Sequence, residues 1–230
     1  MRLSINTPKG KYSYKYVPIY LGVKPIDKAI AKENLLLLKE TLDRHHLRFL
    51  LLFGTLLGAL REHDFIAHDE DIDLVMKKED MPGFLSTLFE LREQGFELAR
   101  YERRGFLSII RKGEYIDIYF FQPYPDDSNL YYCCRDICKK EILDDAIPYA
   151  FQGSEFLIPR NYIEYLEYYF GSNWQTPIQT NNFNQSVWTV RKEKIKIYIK
   201  ALMPVWLAEH LQSKSDKPYL EKWVKKLSAH

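Results

Sequence analysis

The sequence predicts an α+β fold in which a mixed sheet, flanked by helices, is followed by a C-terminal helical extension. Two observations carry this prediction. Short apolar runs alternate with amphipathic segments along the first 180 residues, and the remaining residues combine helical periodicity with basic charge. The length of 230 residues suits one domain over residues 1–180 and an extension over residues 181–230.

The composition is that of a globular protein with a large core, because 46% of the residues are hydrophobic and 15% are aromatic. The net charge of +2 is unevenly distributed: the extension carries ten basic and four acidic residues, so its +6 leaves −4 for the rest. No apolar run approaches the ~18 residues that span a bilayer, and the N-terminal stretch lacks a signal peptide's apolar segment. We therefore expect a cytoplasmic protein, in which Cys133, Cys134 and Cys138 are reduced and partly buried.

Alternating patterns predict the elements of the first half. Residues 27–46 have leucines at helical spacing, and "RFLLLFG" after them is a short apolar run typical of a buried strand. Thr55 then stands where its hydroxyl could cap a short helix over "LLGALRE". "DEDIDLVM" alternates acidic and apolar residues as a strand does, and "KKEDMPGFLSTLFELREQGF" predicts a helix with Pro82 near its start.

The second half adds a meander and further helices. Residues 96–123 predict three strands, separated by turns at residues 103–105 and 112–113. "SEFLIP" predicts another strand, and "NYIEYLEYYFG" predicts a helix that ends at Gly171. Polar residues after Pro177 mark the start of the extension, where "VWTVRKEKIKIYIKALMPVWLAEHL" and "YLEKWVKKLSAH" predict one or two helices.

The acidic strand is the most informative feature of the sequence. In a strand, Asp69, Asp71 and Asp73 share one face, where their carboxylates repel one another unless a cation lies between them. Asp117 adds a fourth carboxylate, opposite an apolar row in "EYIDIYFF". Oxygen ligands of this kind suit Mg²⁺, which proteins hold with one or two carboxylates and substrate phosphates.

Three other interpretations of these acids are open to the sequence. They could form a solvated strand face, with Asp117 paired to an arginine. A calcium loop has acids at the positions of Asp69, Asp71 and Asp73, but it needs glycine where Leu74 stands. A glycosyltransferase uses an Asp-x-Asp motif, but usually after several strands of a nucleotide-binding half, and only one candidate strand precedes it here.

A nucleotidyltransferase-type site fits the order of the residues best. In such a site a Gly-Thr turn at a helix N-terminus holds phosphate, two aspartates on the next strand hold metal, and a later strand supplies a third carboxylate. Gly54 and Thr55, then Asp71 and Asp73, then Asp117 occur in this order. The sequence therefore predicts a nucleotidyltransferase-like mixed sheet.

Longer motifs resemble one family. "FGTLLGALREHDFIAHDEDIDLVM" resembles the signature of the LicD/fukutin family, in which a Gly-Thr-Leu-Leu-Gly-Ala-x-Arg segment precedes acidic residues that end in Asp-Ile-Asp. "YIDIYFF" is similar to the family's later Val-Asp-Ile-Phe element, and "IPRNYIEYLEYYFGSNWQTP" is similar to its Tyr-rich and Leu-rich helical segment. The resemblance covers about residues 30–180.

The resemblance implies a nucleotidyltransferase-like catalytic domain over residues 1–180 and a phosphotransferase activity. Family members move a phosphorylated small alcohol, such as phosphocholine or an alditol phosphate, from a CDP-activated donor onto a sugar hydroxyl. The implied acceptor is a cell-surface glycan or a lipid-linked oligosaccharide, and no nucleic acid is implied as a partner. The expected cofactor is Mg²⁺, with Mn²⁺ as a substitute.

Resemblance and spacing together assign roles to seven residues. Asp71 and Asp73 are expected to be the main metal ligands, with Asp117 as a third ligand or as the base for the acceptor hydroxyl. The remaining residues are expected to bind substrate: Gly54 and Thr55 at the donor pyrophosphate, Arg61 as a phosphate clamp or a partner of Asp69, and His68 beside the acceptor pocket. His68 and Glu70 stand where many members have Trp and Asp, so that pocket is expected to differ and Glu70 is not expected to be an essential ligand.

Two other functions stay open at this point. A nucleotidyltransferase would move a nucleoside monophosphate from a triphosphate to a small acceptor and release pyrophosphate, whereas a CDP-donor phosphotransferase releases CMP. A non-catalytic module that binds nucleotide or metal is the second alternative.

The extension has a pattern of its own. Five apolar residues fall at helical spacing, and five basic residues lie between them. We expect either a peripheral contact with the inner face of a membrane or packing of the apolar stripe against the first domain. The apolar residues are Trp188, Ile195, Ile199, Leu202 and Trp206, and the basic residues are Arg191, Lys192, Lys194, Lys196 and Lys200.

Overall fold

A computed structural model describes residues 2–17, 25–177 and 187–228. The strands are β1 (Leu3–Thr7), β2 (Gly10–Tyr14), β3 (Leu50–Leu51), β4 (Asp71–Lys77), β5 (Glu97–Glu102), β6 (Phe106–Arg111), β7 (Glu114–Tyr124), β8 (Asp127–Cys133), β9 (Asp136–Lys139), β10 (Ala146–Phe151) and β11 (Ser154–Pro159). The helices are α1 (Lys28–Arg44), α2 (Phe53–Arg61), α3 (Met81–Glu93), α4 (Glu141–Asp144), α5 (Tyr162–Phe170), α6 (Val187–Leu202) and α7 (Val205–Ser228).

A mixed sheet forms the centre of the molecule. Within the described ranges its strands are ordered β10-β11-β3-β4-β7-β6-β5, and β8 and β9 continue from β7. The pairs β4–β7 and β11–β3 are parallel, whereas the other neighbours are antiparallel. β1 and β2 form a separate hairpin. The α+β class with a mixed sheet and flanking helices is therefore confirmed.

The core forms where helices cover the sheet. In α1, Leu35, Leu38 and Leu42 are fully buried, as their spacing of three and four residues requires of one helix face. Asp27 caps this helix, since its side chain accepts hydrogen bonds from the N–H groups of Ala29 and Ile30. The five central residues of β4 are also buried, which fits a strand whose neighbours include a parallel partner.

Most of the predicted elements are confirmed. The meander is β5, β6 and β7, "SEFLIP" is β11, and the helix that ends at Gly171 is α5. The three cysteines are free and buried. The capping role of Thr55 is wrong, because α2 begins at Phe53 and Thr55 lies inside it. Its hydroxyl instead accepts a hydrogen bond of 2.8 Å from the N–H of Asp73.

The helix α7 packs against the sheet. Leu220 is buried with Leu130 of β8 and Ile137 of β9. Asp216, which is 5% exposed, accepts hydrogen bonds from Arg104 Nη1 at 2.6 Å and from Arg135 Nε at 3.0 Å. The extension is therefore joined to the first domain by apolar and ionic contacts. The predicted boundary at residues 180 and 181 lies outside the described residues.

The stripe of α6 and early α7 is exposed. Trp188, Ile195, Ile199, Leu202 and Trp206 have exposed fractions between 52% and 77%. Packing of this stripe against the first domain, one of the two expectations, is therefore not what the structure shows. Among the described helices, none has both the length and the apolar character needed to cross a membrane.

We predict that Asp216→Ala lowers the free energy of unfolding by about 2 kcal/mol. The substitution leaves two guanidinium groups without their shared carboxylate, and their partial exposure keeps the loss below the ~3–5 kcal/mol of a fully buried pair. Chemical denaturation measures the change. Glu221→Ala, at an exposed position of the same helix, is the control and should shift stability by less than about 0.5 kcal/mol.

Candidate active site

Three carboxylates meet where β4 pairs with β7. In the parallel register Asp73 lies beside Asp117, and Asp71 precedes Asp73 by two residues on the same face. One carboxylate oxygen from each residue lies within 4.8 Å of the others. The structure therefore brings together the three residues that the sequence predicts as metal ligands.

Asp117 is held by a neighbouring pair of side chains. Ser108, its register partner on β6, donates its hydroxyl to Asp117 Oδ1. Arg100 Nη2 donates to Asp117 Oδ2 at 3.0 Å, and Arg100 Nε donates to Ser108 Oγ at 3.2 Å. The guanidinium also lies 4.2 Å from the ring centre of Phe106. Pairing to an arginine was an alternative to a metal site, but each carboxylate oxygen has a second lone pair that remains for a cation.

The pKa values of the aspartates in the cluster indicate that their negative charges are not compensated within the protein. Burial, followed by repulsion from Asp73 and Asp117, raises the pKa of Asp71 well above its usual value. Burial, followed by repulsion from Asp69 and Asp117, does the same to the pKa of Asp73. A divalent cation would offset both the burial of the charges and their mutual repulsion. Carboxylate oxygens are the ligands that Mg²⁺ and Mn²⁺ prefer. The cluster therefore fits a metal ion of this class.

The Gly-Thr pair holds Asp73 in place. The N–H of Gly54 donates to Asp73 Oδ2 at 3.2 Å, while Thr55 accepts from the N–H of the same aspartate. A Cβ at residue 54 would lie 2.5 Å from Asp69 Oδ2, so any larger residue there would displace this carboxylate. Gly54 therefore allows the N-terminus of α2 to approach the acidic strand closely.

Phe53, which the sequence did not single out, has a left-handed backbone with φ of 50°. This conformation is unfavourable for a bulky residue. Its ring is packed among three tyrosines, with centroid distances of 4.8 Å to Tyr119, 6.5 Å to Tyr165 and 5.1 Å to Tyr169. These ring contacts hold the strained residue that directly precedes Gly54.

Arg61 has protein partners in the structure. Its Nη2 donates to Glu62 Oε1 at 2.8 Å, and its Nη1 donates to the carbonyl of Trp174 at 3.2 Å. Arg61 therefore pairs with Glu62 rather than with Asp69. Its Nε is buried and has no hydrogen-bond partner among the described residues.

His68 precedes the first residue of β4 by three positions. Burial raises the pKa of Asp69, and a hydrogen bond from the Glu70 N–H and the charge of His68 act against this rise. The side-chain Oε1 of Glu70 is buried without a hydrogen-bond partner in the part of the chain that is described. His68 and Glu70 thus flank the acid whose carboxylate faces Gly54.

Asp136 and Tyr169 extend the site in a way that the sequence analysis missed. Burial raises the pKa of Asp136 to about 6, and Tyr169 donates its hydroxyl to Asp136 Oδ1 at 3.1 Å. The charge of Asp136 contributes to the raised pKa of Asp73 and of Tyr119, so it acts on the same region. No sequence pattern indicated this, because Asp136 lies in a segment without clear periodicity.

The fold and the three acids define a domain of the nucleotidyltransferase type. The chain belongs to the LicD/FKTN/FKRP family, because the model of that family's nucleotidyltransferase domain matches residues 46–161. The resemblance seen in the sequence is therefore confirmed. No curated protein matches the sequence closely.

Two solved proteins have a similar backbone arrangement. The lincosamide antibiotic adenylyltransferase LnuA, bound to lincomycin, is 9% identical over 68% of this chain and 100% of its own, with a TM-score of 0.46. The antibiotic-resistance factor ANT(2'')-Ia is 10% identical over 88% of this chain and 95% of its own, with a TM-score of 0.48. At such low identity the family match and the geometry of the site remain the basis for function.

We predict that Asp71→Asn abolishes stabilisation by metal. In the wild-type protein, Mg²⁺ or Mn²⁺ should raise the melting temperature above its value in EDTA, because a ligand that binds only the folded state stabilises it. The variant should lose this increase while its melting temperature in EDTA stays the same or rises, because one of several repelling carboxylates is gone. Glu155→Gln, at an exposed position of β11, is the control and should behave as wild type.

The same measurement has a pH dependence. The folded-state pKa of Asp71 lies above its unfolded value, so ionisation of this carboxyl opposes folding. The contribution of this carboxyl to metal-free stability should therefore be complete below about pH 4 and be lost as the pH rises through the raised pKa, so the gain in stability from Asp71→Asn should grow over that range. A melting temperature in EDTA that rises steadily from pH 4 to pH 7 in the wild type, unchanged by Asp71→Asn, would contradict the prediction.

Proposed function

We propose that the protein is a Mg²⁺-dependent phosphotransferase that moves a phosphorylated small alcohol from a CDP-activated donor onto a sugar hydroxyl of a glycan. The observation that carries this proposal is the cluster of Asp71, Asp73 and Asp117 beside the N-terminus of α2. Membership of the LicD/FKTN/FKRP family supports the class of reaction. Phosphocholine and alditol phosphates are the proposed transferred groups.

The three acids would hold the cation. When bound, Mg²⁺ would supply charge neutralisation for the donor phosphates. Burial raises the pKa of Asp117, and the charge of Arg100 and the hydrogen bonds from Ser108 and Arg100 act against this rise. Because these bonds hold both of its oxygens, the carboxylate is fixed in place, which suits a metal ligand better than a base that must take a proton from the acceptor. We therefore assign Asp117 as the third ligand.

The N-terminus of α2 would bind the donor. Partial positive charge at a helix N-terminus attracts phosphate, so the donor pyrophosphate would lie beside Gly54, whereas Thr55 is buried and its hydroxyl binds the N–H of Asp73. Arg61 has an Nε without a partner among the described residues, which would suit a phosphate oxygen. His68 would lie on the acceptor side of the same site.

The proposed transfer is a substitution at phosphorus in which CMP is the leaving group. The acceptor hydroxyl oxygen forms a bond to the phosphorus of the alcohol phosphate, and the bond from that phosphorus to the CMP oxygen breaks. The hydroxyl proton leaves to solvent, and CMP is released. A nucleotidyltransferase acting on a triphosphate would release pyrophosphate instead. This activity is the second candidate, because the matching domain of the family is a nucleotidyltransferase domain.

A donor panel followed by product analysis tests the proposal. CDP-choline, CDP-glycerol, CDP-ribitol and the common nucleoside triphosphates are compared by thermal shift with Mg²⁺ and with EDTA. We expect one CDP-alcohol to raise the melting temperature only with Mg²⁺, and CMP to appear when a glycan acceptor is added. Asp73→Asn should reduce CMP formation by at least about 100-fold. Pyrophosphate release from a triphosphate would favour the second candidate, and metal-independent binding without turnover would favour a binding module.

A peripheral contact with an anionic membrane surface is the second part of the proposal. At 3.6 residues per turn, Trp188, Ile195, Ile199 and Leu202 fall within an arc of about 60° on α6. Arg191 lies on one side of this arc and Lys192 and Lys196 on the other, and the side chains on both sides are exposed. An exposed apolar face with cationic edges has the charge and shape of a helix that lies in a lipid interface.

Co-sedimentation with liposomes tests this contact. Vesicles with anionic lipid should bind the protein at low salt and release it at high salt, because each basic residue near the surface contributes about 1 kcal/mol. Lys192→Glu with Lys196→Glu should weaken binding at least about tenfold. Lys9→Glu with Lys11→Glu changes the net charge equally at exposed positions of the hairpin and should have little effect. Absence of lipid binding, together with concentration-dependent self-association, would assign the face to a second copy of the chain.

A further inference from the structure

A continuous stack of aromatic rings runs from α7 to the start of α2. Trp223 stacks on Tyr169, with ring centroids 5.5 Å apart and planes at 10°. Tyr169 stacks in turn on Tyr165, at 5.7 Å and 18°, and contacts the edge of Phe53 at 5.1 Å. Phe53 directly precedes Gly54, whose N–H holds Asp73. The stack therefore links α7 to a metal-ligating aspartate through three consecutive contacts.

A second set of contacts fixes the end of this stack. Lys226, on α7, donates to the carbonyl of Tyr168, and its ammonium lies 4.9 Å from the centre of the Trp223 ring. Asp216, a buried residue of the same helix α7, accepts hydrogen bonds from Arg104 and Arg135. Trp223 itself contacts Tyr168, at a centroid distance of 5.1 Å, and Lys226, and it presents a flat face to Tyr169.

The conformation of Phe53 explains why this support is needed. A φ of 50° is unfavourable for a bulky side chain, so the residue stays there only if its surroundings hold it. Tyr169 is one of the three tyrosines around its ring. If Phe53 relaxed to an ordinary conformation, the N–H of Gly54 would turn away from Asp73 Oδ2 and the aspartate would lose a fixed orientation.

We propose that Tyr169 is a positioning residue of the metal site and that α7, through Trp223, is a required part of that site. The residues concerned lie beyond residues 46–161, which the family model matches. The inference rests on the proposed function in one respect, namely that the three acids hold a cation. Metal affinity therefore serves as the readout, because it needs neither donor nor acceptor.

Mn²⁺ binding to full-length variants tests the proposal. Trp223→Ala should weaken Mn²⁺ binding about tenfold, the lower end of the loss seen when groups that orient metal ligands are removed. Trp223→Phe keeps a flat ring and should restore most of the affinity. Trp206→Ala removes an exposed tryptophan from the same helix and should bind Mn²⁺ as the wild type does.

Substitutions of Tyr169 test the same proposal and do so even if Trp223→Ala does not fold. Tyr169→Leu retains apolar bulk but not the flat ring, and it should also weaken Mn²⁺ binding about tenfold. Tyr169→Phe loses the same hydroxyl, which donates to Asp136, but retains the ring, and it should therefore bind Mn²⁺ more tightly than Tyr169→Leu does. Folded Trp223→Ala or Tyr169→Leu with wild-type Mn²⁺ affinity would overturn the proposal.

The outcomes also separate this proposal from the proposed reaction. If no CDP-alcohol is turned over but Mn²⁺ affinities follow the expected order, the positioning role stands and the phosphotransferase assignment fails. If CMP is formed by the wild type and Mn²⁺ affinity is insensitive to Trp223 and Tyr169, only the positioning role fails. Wild-type protein that binds no Mn²⁺ would overturn both.

Discussion

The repulsion between three carboxylates, of which Asp71 is half-buried and the other two are buried, is the constraint on which the rest of the site depends. Asp71, Asp73 and Asp117 are brought together by the parallel pairing of β4 with β7, and burial leaves them little water to disperse their charge. Three features of the surrounding structure reduce this repulsion or fix the carboxylates in place. Arg100 and Ser108 bind Asp117, the N–H of Gly54 binds Asp73, and one oxygen of each aspartate lies within 4.8 Å of the others, where a shared cation would fit.

The spacing of the sequence motif follows from this packing. Thr55 and Gly54 are separated from Asp73 by 18 and 19 residues, yet both form hydrogen bonds with it. The first turn of α2 must therefore lie directly against β4, and Asp69 leaves no room for a side chain at residue 54. What reads in the sequence as a Gly-Thr turn followed by an Asp-x-Asp motif is, in the structure, one hydrogen-bonded unit.

Local patterns predicted the parts of the molecule that local forces determine. The two-residue alternation of β4 placed Asp71 and Asp73 on one face, and the turns at residues 103–105 and 112–113 defined the meander. The partners of Asp117 required the register between β6 and β7, which no local pattern specifies. Phe53 escaped prediction because it depends on tyrosines far along the chain, and Asp136 because its segment has no periodicity. Helices were predicted in the extension, but α7 joins the end of the first predicted segment to the second in one helix, and neither this continuity nor its contacts with β8 and β9 were predicted.

The parallel pairing of β4 with β7 also has a consequence for local stability. The meander β5–β6–β7 joins neighbours in sequence, whereas β4 pairs with a strand more than forty residues away. Docking of β4 on β7 adds Asp117 to the repulsion that already acts between Asp71 and Asp73, so without a cation this seam combines a long-range contact with charges of one sign. Amide hydrogens along this seam would therefore exchange with solvent sooner without a cation than when the three carboxylates share one. The same seam that assembles the candidate active site is thus the part of the sheet whose local stability depends most directly on metal.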